Sequence, residues 1–305
     1  MKGIVFFPPS ECNSTERAKL IAQYLNFELR LADDCNPQQL KAEGMDVVIN
    51  LGRPTNNNPY SMQGLVNLDK SIKVISYLGD LHSIDKKVFL PLMQRVLERS
   101  DKILCVYDER FKKLWPQYLY KYECMPHFIS PYESYAQLPY NNKPIMKVLL
   151  SGTITEWWYP FRCFIRDLNH PYVERLICRG SYLYPAKTNL IGDDYIKELN
   201  KYFCSIATST RFKRIVGKHF EIAAAGALLL ADYVEGLKSI GFIENKHYIR
   251  IDKDNVSEVI TDVIENPQKY EGIRREGRKY VLENHTIRNR IPQFKRIIRE
   301  VCQLK

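Results

Sequence analysis

No apolar run in this 305-residue sequence approaches the roughly 18 to 20 residues that a bilayer-spanning helix needs. The opening MKGIVFFPPSEC has one lysine and a short apolar stretch cut off by two prolines. It lacks the longer apolar region and small-residue cleavage site of a secretory leader, so Ile4 to Phe7 is expected to be a first β-strand and the protein cytoplasmic. The eight cysteines, at 12, 35, 105, 124, 163, 178, 204 and 302, form no C-x-x-C pair, which removes support for a zinc ribbon or a thioredoxin-like centre. Cys105 in ILCVY and Cys178 in LICRG fall inside apolar strand candidates and are expected to be buried, reduced thiols. The six histidines show no H-x-x-x-H spacing, and no D-x-D triplet stands at a strand end, so no metal is expected. Neither the first strand nor MKVLLSG at 146–152 leads into G-x-G-x-x-G, which disfavours an NAD-dependent oxidoreductase.

What is present suits a soluble globular protein. Hydrophobic residues make up 45% and charged residues 26% of the chain, enough for two domains of about 150 residues each. The net charge of +10 attracts polyanions and nucleotides. The excess is spread along the chain without a basic arm, which leaves nucleic acid as a secondary partner class.

Strand and helix signals alternate. GIVFF, FELRLA, DVVINLG at 46–52, KVISYLG at 73–79, DKILCVY at 101–107 and YECMPHF at 122–128 are strand candidates. STERAKLIAQYL, opened by Asn13 and Glu16 at capping-box spacing, and VFLPLMQRVLERS are helix candidates. The polar stretch 132–146 is expected to link two domains. The pattern then restarts with MKVLLSG, RCFIRDL, VERLICRG, DDYIKELNKYF, CSIATST, KHFEIAAAG, ALLLADY and KHYIRI, and from Ser257 onward it is helical, with breaks expected at Pro267 and Pro292. Strands without strong polar alternation, separated by helices, imply parallel sheets covered on both faces. Two Rossmann-like α/β domains facing across a cleft are therefore expected, over 1–140 and 141–285, with residues 286–305 returning as a helix to the first.

The most informative stretch is TSTRFKRIVGKHFEIAAAGALLLAD, from Thr208 to Asp232. A strand is expected to end near Thr210, several cations follow, and a helix with small residues starts near Lys218. Arg211, Lys213, Arg214 and Lys218 suit phosphate, and the carboxylate of Glu221, one turn into the helix, suits two ribose hydroxyls. AAAG equally suits tight helix–sheet contact, and the cations a solvated face.

This stretch, together with GFIENKHYIRIDKDNVSEVI and the closing NPQKYEGIRREGRKYVLENHTIRNR, resembles the C-terminal signature of the CgeB-like glycosyltransferases, members of the wider glycosyltransferase group with the GT-B fold. The similarity spans about 205–292 and is architectural over 1–145; F-E-x-A-A-x-G combined with H-T-x-x-x-R carries it. The resemblance implies a nucleoside-diphosphate-sugar donor with Glu221 on its ribose, Lys218 near its diphosphate, and Ala224, Ala225 and Gly226 beside it. Glu244 matches the segment after the donor helix, and His285, Thr286 and Arg290 match the closing motif, more structural than catalytic. Many relatives carry a second acid eight residues before the ribose-binding one, whereas this chain has Lys213 there, which weakens the carry-over of a retaining mechanism and leaves inverting and retaining transfer both open.

Gly152, Thr153, Tyr159 and Arg162 follow the strand that opens the second half and are candidates for donor contact; Trp157 and Trp158 are expected to pack. In the first half, Asp80 and His82 follow a strong strand and are candidates for the base that deprotonates an acceptor hydroxyl. Glu11 and Glu16 are weaker candidates for the same task, the loop GRPTNNNPYS suits either the shaping of an acceptor site or a plain loop, and His127 is a cleft candidate more in keeping with a buried or hinge histidine. The expected activity is sugar transfer from a nucleoside-diphosphate sugar to a hydroxyl of a glycan or other acceptor, with Lys218 and Arg211 on the leaving diphosphate and no further cofactor. A DNA-modifying glycosyltransferase and a non-catalytic nucleotide-sugar-binding protein stay open as alternatives.

Overall fold

The computed structural model describes residues 1–7, 12–51, 63–79, 90–129, 132–176, 190 and 192–303. The chain divides into two units, one of Met1–Pro126 with Ile287–Lys305 and one of His127–Thr286.

The first unit holds a six-stranded sheet of β1 (Gly3–Phe7), β2 (Glu28–Leu31), β3 (Val47–Asn50), β4 (Lys73–Leu78), β5 (Lys102–Cys105) and β6 (Tyr122–Cys124). All pairings are parallel, in the order β2-β1-β3-β4-β5-β6. The central strands are largely apolar because helices cover both faces: Ile4, Val5, Phe6, Val47, Val48, Ile49, Val74 and Ile75 are fully buried. The helices are α1 (Cys12–Leu25), α2 (Pro37–Ala42), α3 (Gln63–Val66), α4 (Leu90–Arg99), α5 (Asp108–Leu114) and, from the chain's end, α13 (Ile287–Cys302). The start of α2 is set locally: Asn36 accepts the Gln39 amide at 3.1 Å, with Pro37 at the first helical position. Phe294 of α13 meets Tyr77 of β4 edge-on at 5.9 Å.

Pro292 does not break the helix as expected: α13 runs through it. An interior proline costs about 3 kcal/mol. Burial of Ile287, Ile291, Phe294, Ile297 and Ile298 along one side of the same helix offsets that cost. Pro267, by contrast, opens a short 3-10 turn between two helices.

The second unit holds β7 (Ile145–Ser151), β8 (Val173–Leu176), β9 (Tyr202–Ala207), β10 (Leu228–Ala231) and β11 (Ile249–Arg250), all parallel in the order β11-β10-β9-β7-β8. The helices are α6 (Tyr132–Gln137), α7 (Pro160–Asp167), α8 (Gly192–Lys201), α9 (Lys218–Ala224), α10 (Glu235–Ser239), α11 (Val256–Glu265) and α12 (Glu271–Asn284). The stretch 132–146, expected as a linker, therefore carries α6 and the start of β7. Of the thiols expected to be buried in strands, Cys105 is fully buried at the end of β5 and Cys178 lies outside the described residues; Cys204, in β9, is buried as well. Strand order reverses between β7 and β9, so their carboxyl ends flank the switch-point crevice where open parallel sheets take ligands. No described helix is long and apolar enough to cross a membrane.

Candidate functional site

The carboxyl ends of β7, β9 and β10 collect an unusual set of polar side chains. Ser151 closes β7, and Gly152 turns the chain away with φ +94°, a conformation that costs any residue with a Cβ. A Cβ built on Gly152 would lie 2.5 Å from Lys218 Nζ and 3.2 Å from Arg162 Nη1, so the glycine is where two cations converge. Lys218, first residue of α9, donates to the Ser151 carbonyl and, at 3.1 Å, to Ser151 Oγ. Ser151 Oγ also lies 3.0 Å from the Tyr195 hydroxyl of α8, and Lys218 Nζ sits 5.9 Å from the centre of the Tyr195 ring.

Arg162, on α7, is only 3% exposed. Its Nε donates to Thr208 Oγ1 at 3.2 Å, its Nη1 to the Thr153 carbonyl at 2.8 Å, and its guanidinium lies 3.9 Å from the centre of the Tyr159 ring. These hydrogen bonds go to neutral oxygens. Burial pushes the guanidinium pKa down, with a weaker opposing pull from Tyr159, Tyr195 and Asp232. An arginine nonetheless stays charged at neutral pH. A buried charge held by neutral partners favours a nearby anion.

Asp232, just past β10, is buried, and its carboxylate accepts the Ser209 amide at 2.6 Å and the Ser209 hydroxyl at 2.5 Å. Lys213 Nζ stands 3.4 Å from it, with Lys213 itself in the left-handed region at φ +52°. Asp232 thus ties the turn after β9 to the end of β10. His219 of α9 is fully buried; its Nδ1 lies 3.1 Å from both the amide nitrogen and the carbonyl oxygen of Val216. Burial lowers its pKa to about 4, against an opposing attraction to Asp232. At neutral pH it is uncharged.

The structure brings together Gly152, Thr153, Arg162, Thr208 and Lys218 of the candidates named from sequence. Glu221 is half-buried three residues further along α9, close enough to Tyr135 to add to the upward pKa shift that burial gives that phenol. Strand β9 ends at Ala207, three residues before the expected end. Arg211 is engaged elsewhere: its guanidinium lies 3.9 Å from the centre of the Trp157 ring. Ala225 is fully buried just past the other end of α9 from Lys218, and Gly226, at φ +82°, turns the chain against Tyr140 and Arg278. Both belong to helix–sheet contact, as does fully buried Ala224.

His285 stacks on Phe242 at 5.8 Å, Thr286 bridges to Ile129, and Arg290 donates to the Pro126 carbonyl at 3.3 Å, all structural contacts. His127 is buried with its ring 6.0 Å from Phe220, and Glu244 lies on an exposed turn. Glu16 pairs with Lys19 at 3.9 Å on α1. Asp80, His82, Glu11 and the loop GRPTNNNPYS, 52–61, lie outside the described residues. Among those described, no group of three His, Cys, Asp or Glu side chains is placed to hold a metal. Sequence reasoning missed Ser151, Tyr195, Ser209, His219 and Asp232. Only Asp232 left a local signal, an acid directly after the apolar strand LLLA.

Residues 161–296 match a family described as glycosyl transferase-like. The match covers less than half of the chain. The matched stretch contains Arg162, Thr208, Lys218, Glu221 and Asp232, and Ser151 and Gly152 precede it. Over the whole chain the fold is GT-B, two parallel α/β units. Anabaena HepE in complex with UDP-glucose aligns with a TM-score of 0.69 at 11% identity, covering 98% of this chain and 100% of its own. Sucrose-phosphate synthase from Thermosynechococcus elongatus aligns at 0.71 and 11% identity over 100% of both chains. A glycosyltransferase from Rickettsia africae aligns at 0.66 and 13% identity, covering 100% of this chain and 99% of its own. No curated protein matches the sequence.

Gly152→Ala is expected to cost about 1–2 kcal/mol of stability from the left-handed backbone alone. The added methyl also displaces the Lys218 ammonium from the end of β7. Thermal unfolding reads the first effect. Loss of nucleotide binding, by calorimetry, reads the second.

Proposed function

We propose that the protein transfers a sugar from a nucleoside-diphosphate sugar, with UDP as the nucleotide, to a hydroxyl of a glycan or other acceptor, as a CgeB-like glycosyltransferase. The observation that carries this reading is the convergence of Lys218 and buried Arg162 on Gly152 at the switch-point crevice of the second unit. HepE, of similar fold, holds UDP-glucose. The glycine opens space for a diphosphate, Lys218 meets its charge directly, and Arg162 supports it from beneath while clamping Thr153 to Thr208. The α9 helix has only seven residues, so the assignment rests on these cations rather than on a helix dipole.

In the transfer, the acceptor oxygen forms a bond to the anomeric carbon as the bond to the diphosphate oxygen breaks. The electron pair of the broken bond becomes charge on the leaving diphosphate. Fixed cations stabilise that growing charge, the largest single contribution in many enzymes. Glu221 accepts the ribose hydroxyls. The acceptor proton is assigned to Asp80 or His82 on sequence alone.

A thermal-shift series with UDP-glucose, GDP-mannose and ADP-glucose tests the reading, because a ligand that binds only the folded state raises the melting temperature. UDP-glucose is expected to give the largest rise, and Glu221→Ala is expected to weaken that binding at least tenfold, about 1.4 kcal/mol. Absence of a rise with every nucleotide sugar overturns the proposal.

A further inference from the structure

The loop between β7 and α7 exposes two tryptophans in succession, Trp157 at 63% and Trp158 at 37%. Both were expected to be packing residues, and both are instead built into the rim of the crevice. The Arg211 guanidinium covers Trp157 at 3.9 Å, which fixes the ring's orientation while most of its surface stays in water. The Arg211 amide donates to the Trp158 carbonyl at 2.9 Å, and Trp158 meets Phe212 edge-on at 6.1 Å. The two loops are therefore zipped together, and the exposed indole is a fixed feature. The same construction recurs past β10, where Tyr233 is 50% exposed with the Arg250 guanidinium 5.2 Å over its ring. Paired large aromatics left in water beside a ligand crevice mark a binding surface, whereas scattered single ones do not.

We propose that Trp157 is the stacking platform for a pyranose ring of the acceptor, making the acceptor a saccharide. The inference deepens the donor reading above and rests on it. A pyranose presents a face of C–H bonds polarised by the neighbouring oxygens, and the indole face is the negative end of its quadrupole, so the two attract as apolar surface is removed from water. A donor nucleotide is gripped by the buried and half-buried groups around Gly152. The rim platform stands in water instead, which suits a chain that extends outward and is held ring by ring.

The test compares the wild-type protein with Trp157→Ala and Trp157→Phe on an array of immobilised gluco-, galacto- and manno-oligosaccharides, with UDP present. UDP-glucose thermal shift and UMP titration run alongside. Trp157→Ala is expected to lose at least tenfold of the saccharide signal, Trp157→Phe to regain part of it, and both to keep the wild-type UDP-glucose response. An unchanged array signal in Trp157→Ala overturns the platform. So does a loss of UMP affinity in that variant with saccharide binding intact, which assigns the indole to the nucleobase. A wild-type protein that responds to UDP-glucose yet retains no saccharide also overturns it and leaves the donor reading standing. A wild-type protein without a UDP-glucose response fails the donor reading itself.

Discussion

Lys218→Met is expected to lower kcat/KM for the nucleotide-sugar donor at least a hundredfold, about 2.7 kcal/mol of lost transition-state stabilisation. Methionine keeps the length and apolar stem of the side chain and removes only the ammonium. That ammonium is held at the carboxyl end of β7 by the Ser151 carbonyl and hydroxyl, beside the one residue of the turn that has no side chain. In the proposed transfer, negative charge grows on the leaving diphosphate at this spot, so the interaction strengthens toward the transition state and the loss falls mainly on kcat. A neutral loss, with KM raised and kcat intact, would make Lys218 a binding group only. Unchanged kcat/KM would remove it from the site and, with it, the argument for a diphosphate at Gly152. Because the lysine is half-buried and Ser151 Oγ keeps the Tyr195 hydroxyl as a partner, the variant is expected to unfold near the wild-type temperature.

The parts of this arrangement visible in the sequence are those encoded by neighbours along the chain. Largely apolar runs without polar alternation pointed to β1, β3, β4, β5, β9 and β10, because a strand covered on both faces is apolar at most positions. Helical periodicity gave α4, α8 and α11, each of ten residues. The helices α2, α3, α6 and α10 have six, four, six and five residues, fewer than two turns, and such segments carry no period to detect. Gly152, Arg162 and Lys218 were legible one at a time, from a strand end and from cations near a helix start. Their convergence was not, since it depends on β9 lying beside β7 with 50 residues of chain between Ser151 and Tyr202.

The same limit applies to the residues that hold the site in shape. Tyr195 is visible in sequence as an ordinary helix residue and acquires meaning only where its hydroxyl meets Ser151. Arg211 looked like a phosphate ligand because it stands among cations, yet the nearest suitable partner in space is an indole from another loop. Gly226 shows the reverse case. The AAAG pattern is compatible with both a ligand and close helix contact, and the ring of Tyr140 and the stem of Arg278 against Gly226 account for it by contact.

Acidification from pH 6.5 to pH 4 is expected to remove about 3 kcal/mol of stability through His219 alone. The imidazole is fully buried, and burial lowers its pKa from 6.5 to about 4, with Asp232 attracting the charged form and Arg162 and Lys218 repelling it. In the unfolded chain the same group takes a proton near pH 6.5. Between those two values the unfolded state binds a proton that the folded state excludes, so folding loses ground as pH falls. The contribution is fully present above pH 6.5 and lost on the way down to about pH 4. His247, also lowered by burial, acts in the same direction, so the measure is a difference between variants rather than a single curve. His219→Asn keeps an oxygen positioned to accept the Val216 amide and removes the titration. Denaturant unfolding at half-unit pH steps is expected to show a shallower slope for His219→Asn than for wild type across this window, with wild type losing more stability toward the acid end. Parallel curves would mean that the imidazole gains its proton without cost, through an opening of the α9 start that lets water or the Asp232 carboxylate reach Nε2. The group beside Lys218 and Arg162 would then be a third cation of the site at mildly acidic pH, and nucleotide binding would tighten rather than weaken as pH falls toward 5.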